Sequence, residues 1–197
     1  MQGSNSKLMT FISVKGIAFL STFPPRPCGI APYTTDLMTA ITGKFHSFNL
    51  IPIPIENDGI EHIYQFDTPL KLDVSDLGSF DRLKEYINTS ADIDMVCVQH
   101  EFGLFNDQEV PFLSFLSNLE KPVVLTFHTV LPSPDLLLAE KVKVLTEACS
   151  RVSVMTRSSV RILTNDYQVS ADKIIMIPHG THLAPAFDRT EIRRRYD

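Results

Sequence analysis

The sequence predicts an α/β protein with a Rossmann-like, doubly wound parallel sheet of about six or seven strands and helices on both faces. Three observations support this fold class. Short runs of consecutive apolar residues recur along the chain, as expected for strands buried on both faces. Amphipathic segments with apolar residues three or four positions apart lie between these runs. The two patterns alternate five or six times, which is typical of right-handed crossovers around one parallel sheet.

Six apolar runs predict the strands. They are "GIAFLS", "HIYQF", "MVCVQH", "VVLTFH", "VSVM" and "IIMI", over Gly16–Ser21, His62–Phe66, Met95–His100, Val123–His128, Val152–Met155 and Ile174–Ile177. The run "FHSFNLIPI" (Phe45–Ile53) is a further candidate. Pro52 and Pro54 weaken it at its end, because proline has no N–H group to donate to a neighbouring strand.

Three apolar stripes at helical spacing predict helices between the strands. The stripes are Phe80, Leu83 and Ile87; Phe112, Phe115, Leu116 and Leu119; and Leu138, Val142, Leu145 and Cys149. Another helix is predicted to begin after Gly29, at the end of the proline-rich segment "FPPRPCG". Prolines stiffen this connection, and the first N–H groups of the helix point beyond the sheet edge, where an anion or a sugar can bind.

The composition excludes several classes of protein. A chain of 197 residues, 44% hydrophobic and 21% charged, fits one sizeable globular core. Its net charge of −5 argues against a nucleic-acid partner. Three widely spaced cysteines indicate reduced thiols and a cytoplasmic location rather than disulfides or a zinc site. No apolar run approaches the roughly 20 residues of a membrane span, so nothing in the sequence supports membrane association.

Ligands of doubly wound sheets bind beyond the carboxyl ends of the strands. Three of the six histidines, His100, His128 and His179, lie at such ends. Any one of them is readily explained as a histidine bonded to a nearby carbonyl, but three on one rim favour a site. "HEFGL" is not a zinc-protease motif, because Leu104 stands where the second histidine is required. The G-x-S-x-G, P-loop and G-x-G-x-x-G motifs are also absent.

Four segments carry a resemblance to a known family. "STFPPRPCGIAPYTTDL", "VCVQHEFGLF", "KPVVLTFHTVLPSP" and "KIIMIPHGTH", in this order and spacing, resemble the N-terminal half of a family-4 retaining glycosyltransferase of the GT-B class. The combination is far more specific than any one segment.

The resemblance implies one of two Rossmann-like domains that face each other across a cleft. Residues 15–184 correspond to the N-terminal, acceptor-side domain, residues 1–14 to an extension, and residues 185–197 to the start of the linker. Most contacts to the nucleotide-sugar are implied for a C-terminal domain that this sequence lacks, so we expect the chain alone to be inactive and to bind the donor poorly.

The resemblance also implies roles for residues on the rim. His128 matches a histidine that orients the transferred sugar, and is the candidate catalytic residue. The candidate acceptor- and donor-binding residues are Gly29, His100, Glu101, Thr129, Ser158, His179 and Gly180. Gly29 is expected to allow close backbone approach to the donor phosphates, although the segment fits a rigid turn equally well. Glu101 can equally cap or pair with a nearby base, and Gly180 is expected to have a positive φ.

The implied reaction transfers a sugar with retention from a nucleotide-sugar to a saccharide or lipid-linked acceptor. The leaving diphosphate acts as the base, and no metal or other cofactor is expected. The donor sugar, the acceptor and the oligomeric state remain open. Two alternatives also remain: a stand-alone saccharide- or protein-binding module without catalysis, and half of a GT-B-like epimerase or phosphorylase.

Overall fold

The computed structural model describes residues 15–57, 59–105 and 108–180. The predicted extension (residues 1–14), the end of the predicted domain (residues 181–184) and the predicted linker (residues 185–197) lie outside the described residues.

The described residues form one seven-stranded, all-parallel sheet in the order β3-β2-β1-β4-β5-β6-β7. The strands are β1 (Gly16–Ser21), β2 (Asn49–Glu56), β3 (Leu72–Asp73), β4 (Met95–His100), β5 (Val123–Phe127), β6 (Arg151–Val154) and β7 (Ile174–Met176). The helices are α1 (Ile30–Lys44), α2 (Leu77–Thr89), α3 (Glu109–Ser117), α4 (Leu136–Ala148) and α5 (Arg157–Asn165), with a 3-10 turn at Ala171–Lys173. The predicted fold class is confirmed.

The weak strand candidate is a full strand that passes through both of its prolines. Pro52 and Pro54 lie opposite Phe19 and Ser21 of β1. The carbonyl oxygen of Pro52 accepts a hydrogen bond from the Thr68 hydroxyl at 3.0 Å, which places the backbone of this residue on the outer edge of β2. Because Pro54 is two residues further on, its missing N–H group also falls on that edge, away from β1.

The predicted strand His62–Phe66 is wrong. This segment is irregular, because the free edge of β2 pairs with the short strand β3 instead. Buried Glu56 anchors the segment: its Oε2 lies 2.9 Å from His62 Nδ1, and its Oε1 accepts from the Tyr64 hydroxyl at 2.6 Å. Every second side chain of this segment is partly or fully buried, as in a strand. Here that pattern arises because Glu56 binds His62 and Tyr64, and the segment pairs with no described strand.

Three of the helices have an N-cap residue whose side-chain oxygen accepts a hydrogen bond from the first turn. Asp76, Asp135 and Thr156 cap α2, α4 and α5, and accept from the N–H groups of Gly78, Leu138 and Ser159 at 2.9, 2.7 and 3.0 Å. Such caps satisfy N–H groups that lack partners within the helix. The last two also fix where α4 and α5 begin at the carboxyl rim of the sheet.

The two faces of the sheet differ in their helices. Leu37, Met38 and Ile41 of α1 pack with Ile17 and Phe19 on what we call the α1 face. The larger core lies on the opposite face, which we call the helical face. Its helical members come from α2, α3, α4 and α5 and include Phe80, Phe112, Val142 and Leu163. Successive residues of a strand point to opposite faces, so each strand end presents one side chain to each environment.

The cysteines at positions 28, 97 and 149 are free. Burial raises the pKa of Cys97 and of Cys149 to about 12, so both thiols stay protonated at neutral pH. No described helix is both long and apolar enough to cross a membrane.

Candidate functional site at the carboxyl rim of the sheet

The proline-rich loop after β1 is anchored to the neighbouring strand. Phe23 is buried, and its carbonyl oxygen accepts from the Arg26 N–H at 3.1 Å. Arg26 reaches across to the end of β2, where its guanidinium donates to the Ile55 carbonyl at 2.9 Å and bonds to the Asn57 side chain. The Thr22 hydroxyl donates to Cys28 Sγ at 3.4 Å. These contacts hold the loop at a fixed position beside the first turn of α1.

Neither of the two rim glycines has a φ in the left-handed region. Gly29 has φ −64° and ψ −24°, and a Cβ added there meets no described heavy atom within 4 Å. The turn itself therefore does not require glycine, and close approach to a ligand remains a prediction. The positive φ expected for Gly180 is wrong, since its φ lies outside the left-handed region. Gly180 is exposed, directly after His179.

His128 follows β5 and lies half-buried on the α1 face. Its Nε2 is 2.9 Å from Oε1 of Gln99, a buried residue that precedes His100, the last residue of β4. The ring of Tyr33, from α1, packs edge-on against the imidazole with 4.9 Å between ring centres. With Gln99 Oε1 as acceptor, Nε2 carries the proton and Nδ1 is left as an acceptor.

The surroundings of His128 keep it neutral. Burial lowers its pKa below the ordinary value, and the nearby His179 lowers it further, whereas the Glu101 carboxylate raises it. His179 is exposed and its ring also lies against Tyr33, with 5.2 Å between those ring centres. A neutral imidazole with one free acceptor suits a hydroxyl ligand better than an anion.

Glu101 and Thr129 form a polar pair beside His128. The Thr129 hydroxyl donates to Glu101 Oε2 at 2.6 Å, and Glu101 Oε1 accepts from the Phe102 N–H at 2.9 Å. Of the partners considered for Glu101, the described residues thus supply a hydroxyl and a backbone N–H group rather than a basic side chain. Both side chains are half-buried, so the carboxylate is fixed but accessible.

His100 lies at the rim, but its side chain points away from His128. Only 5% of the residue is exposed, and its ring contacts Phe102, Phe105, Phe112 and Phe127 on the helical face. Burial lowers its pKa to about 3, with a smaller contribution from His128. His100 therefore does not line the surface around His128, and its predicted contact with acceptor hydroxyls stays a prediction.

Ser158 is exposed in the first turn of α5. It lies at the same rim as His128, but no contact brings the two side chains together. The structure thus assembles His128, His179, Glu101 and Thr129 into one group, and leaves His100, Ser158 and Gly29 outside it.

Sequence reasoning missed two residues that contact this group, Gln99 and Tyr33. Gln99 had a usable signal, because a polar amide inside the apolar run "MVCVQH" requires a hydrogen-bond partner when buried. Tyr33 had no such signal, since its position depends on how α1 packs across the end of β5. Burial raises the pKa of its phenol.

Within the described residues, no group of three or more histidine, cysteine, aspartate or glutamate side chains is arranged to hold a metal ion.

Comparison with solved structures identifies an alpha-glucosyltransferase as a structural neighbour. Its complex with UDP-glucose and DNA containing an abasic site is 8% identical to this chain, with a TM-score of 0.56, and the match covers 85% of this chain and 43% of that chain. Its complex with UDP and a 13-mer DNA containing a HMU base is 7% identical, with a TM-score of 0.54 and the same coverage. No family model and no curated protein matches the sequence.

At this level of identity the likeness establishes the fold: a Rossmann-like α/β domain of the kind found in one half of GT-B glycosyltransferases. The chain spans less than half the length of these neighbours.

Proposed function

We propose that this chain is the acceptor-side half of a retaining, family-4-like glycosyltransferase, which transfers a sugar from a nucleotide-sugar to a saccharide or glycolipid acceptor. The observation that carries the proposal is the state of His128. It is a half-buried imidazole at the carboxyl rim, oriented by Gln99 and by the Tyr33 ring. The shared fold with an alpha-glucosyltransferase supports the reaction class.

In the proposed reaction, the protein mainly positions the reactants. Nδ1 of His128 accepts a hydrogen bond from a sugar hydroxyl, and the pair formed by Glu101 and Thr129 offers a carboxylate oxygen to a second one. The leaving diphosphate takes the proton of the attacking acceptor hydroxyl, so the proposal requires neither a protein base nor a metal ion. Such positioning alone accounts for large rate factors when the reacting groups are held in line.

The neighbouring enzyme binds DNA together with UDP or UDP-glucose. For this chain we favour a saccharide acceptor, because its net charge of −5 repels a phosphate backbone. A rim built from neutral imidazole, phenol and hydroxyl groups also matches sugar hydroxyls.

The acceptor proposal is tested by titrating the chain with alkyl glycosides and, separately, with duplex DNA while following backbone and His ring resonances by NMR. We expect saturable shifts at His128 and Thr129 with glycosides but not with DNA. His128→Ala should abolish them. His46→Ala is the matched control, because His46 is exposed near the start of β2, at the opposite end of the sheet. Binding of DNA alone, or glycoside shifts that survive His128→Ala, would contradict the proposal.

The catalytic role of His128 is tested in a chain that also carries a nucleotide-sugar-binding domain. There His128→Ala should lower turnover roughly ten- to thousandfold, because a positioning hydrogen bond is lost near the reacting centre. The free energy of unfolding of the His128→Ala variant should differ little from that of the unmodified protein. Normal turnover in a destabilised variant would show instead that His128 is structural.

A further inference from the structure

Asn57, the first residue after β2, connects two loops of the carboxyl rim. Its side-chain oxygen accepts a hydrogen bond from the guanidinium of Arg26, in the proline-rich loop after β1. Its side-chain nitrogen donates to the main-chain oxygen of Leu104, in the loop after β4. Since β1 lies between β2 and β4 in the sheet, the Asn57 amide joins loops from the ends of two strands other than its own.

The two partners of Asn57 define what its side chain must do. A guanidinium group can only donate hydrogen bonds, and a main-chain carbonyl can only accept them. The side chain between them must therefore accept on one side and donate on the other, as an amide does. An aspartate has nearly the same shape, but its ionised carboxylate cannot donate to the Leu104 carbonyl.

The loop after β4 begins with a tight turn that carries Glu101. Residues 101–104 are closed by a hydrogen bond from the Leu104 N–H to the Glu101 carbonyl at 3.1 Å. Gly103, the third residue of the turn, has φ +84°, and a type II turn requires a positive φ there. The carbonyl that Asn57 binds belongs to the last residue of this turn. The Asn57 contact therefore fixes one end of a rigid turn whose other end is Glu101.

The Glu101 carboxylate joins this turn to the end of β5. Its Oε1 accepts from the Phe102 N–H inside the turn at 2.9 Å, and its Oε2 accepts from the Thr129 hydroxyl at 2.6 Å. A turn that moves relative to β5 cannot keep both contacts. The position of the carboxylate beside His128 thus depends on what holds the turn in place.

We propose that Asn57 is a positioning residue for the candidate site. By holding the Glu101 turn and the proline-rich loop in one arrangement, it keeps the Glu101 carboxylate where it can accept a hydrogen bond from a sugar hydroxyl. Asn57 acts through Leu104 and not by contact with the sugar. The inference rests on the proposed function for the identity of the ligand.

The experiment compares the unmodified chain with Asn57→Asp and Asn57→Ala by NMR, first without ligand and then in titrations with methyl glucoside and methyl mannoside. The Phe102 amide signal reports the position of Glu101 before any sugar is added, because this N–H donates to the carboxylate. We expect the signal to shift in both variants. Glycoside affinity should fall about tenfold in both, the loss expected when a hydrogen bond to a charged group is weakened.

Asn88→Ala is the matched control for a general loss of stability. The Asn88 amide also joins two segments, since it accepts from the Glu120 N–H and donates to the Asn118 carbonyl, both at 2.9 Å. These residues follow α2 and α3 and lie at the amino end of the sheet, away from the candidate site. Asn88→Ala should leave the Phe102 signal and the glycoside affinity unchanged.

Gly103→Ala tests the same turn without changing Asn57. A Cβ at this position meets no described heavy atom within 4 Å, so the substitution acts only by disfavouring φ +84°. It should reproduce the loss of glycoside affinity, and it keeps the test decisive even if neither Asn57 variant folds.

An unchanged Phe102 signal in Asn57→Asp and Asn57→Ala would overturn the proposal, as would an equal shift in Asn88→Ala. Because aspartate keeps the acceptor for Arg26, an effect confined to Asn57→Ala would overturn the role of the Leu104 contact. If the unmodified chain binds neither glycoside, the proposed function fails, whereas the Phe102 signal still decides whether Asn57 holds the turn.

Discussion

His100 and His128 occupy the ends of adjacent strands, yet the sheet places their side chains in opposite environments. His100 lies opposite Phe127 in the strand pairing, and both point to the helical face. His128 follows Phe127 and therefore points to the α1 face, where Gln99 binds it. One histidine is enclosed by aromatic rings, and the other lies among polar groups at a rim that solvent reaches.

This difference shows that a residue's position at a strand end says little about its chemistry. A buried imidazole without a partner resists protonation and contributes packing, whereas a half-buried one with an oriented proton can bind a ligand. The two faces can be distinguished by experiment, because the same substitution should have different effects on each.

The largest expected difference is in how much each histidine lowers the stability of the folded protein in acid. The pKa of His100 falls from 6.5 to about 3 on folding, so the unfolded state binds the proton more tightly in that range. The contribution of His100 to the free energy of unfolding should therefore be largest above pH 6.5 and should be lost as the pH is lowered. The expected loss is about 2 kcal/mol between about pH 6 and 4.5, and at most about 5 kcal/mol in all. We expect His100→Leu to remove this dependence, as measured by urea unfolding across that range.

His128→Leu is the matched variant for this measurement. The pKa of the His128 imidazole is also lowered, so its contribution to stability should likewise fall as the pH is lowered. This effect should be smaller than that of His100, because His128 is partly exposed. Carboxylates with lowered pKa, such as Asp94, are common to both variants and cancel in the comparison. If the free energy of unfolding of His100→Leu depends on pH as steeply as that of the unmodified chain, the His100 imidazole is not buried as the structure has it.

The next effect concerns packing on the two faces. Phe112 is 1% exposed, and its ring stacks on Phe105 with 3.6 Å between ring centres. Phe112→Ala should therefore lower the free energy of unfolding by about 3–5 kcal/mol. Tyr33→Ala, on the α1 face, should cost only about 1 kcal/mol because Tyr33 is half-buried.

Chemical unfolding at pH 7 measures both changes. Phe112→Leu serves as the conservative variant and should recover most of the loss. Comparable losses for Phe112→Ala and Tyr33→Ala would mean that the rim on the α1 face is packed as tightly as the core.

The smallest effect tests how His128 is oriented. Gln99→Leu removes the acceptor for Nε2–H and places an apolar side chain of similar size in this buried position. We expect a loss of about 1 kcal/mol of stability, the usual net contribution of one hydrogen bond. The ¹⁵N chemical shifts of the imidazole should change from one tautomer to a mixture.

Gln65→Leu is the control, because Gln65 is exposed away from His128. Unchanged imidazole shifts in Gln99→Leu would show that the tautomer of His128 is set by another group. In that case Nδ1 would no longer be the expected acceptor for a sugar hydroxyl.

The sequence by itself determined the fold class and the position of the rim. Runs such as "MVCVQH" and "VVLTFH" indicate buried parallel strands, and their last residues necessarily lie at one edge. Local patterns also determine which residues of one strand share a face, since side chains alternate. They do not indicate that β2 continues through its prolines, because that depends on which edge faces a partner.

The tertiary structure alone decided which side chains meet. Gln99 reaches His128 only because the register pairs Gln99 with Thr126 and His100 with Phe127. A shift of one residue would exchange the faces of every side chain in a strand. Register depends on hydrogen bonds and packing between segments almost thirty residues apart in these two strands, and no local pattern contains that information. The contact of Tyr33 with His128 depends in the same way on where α1 crosses the sheet.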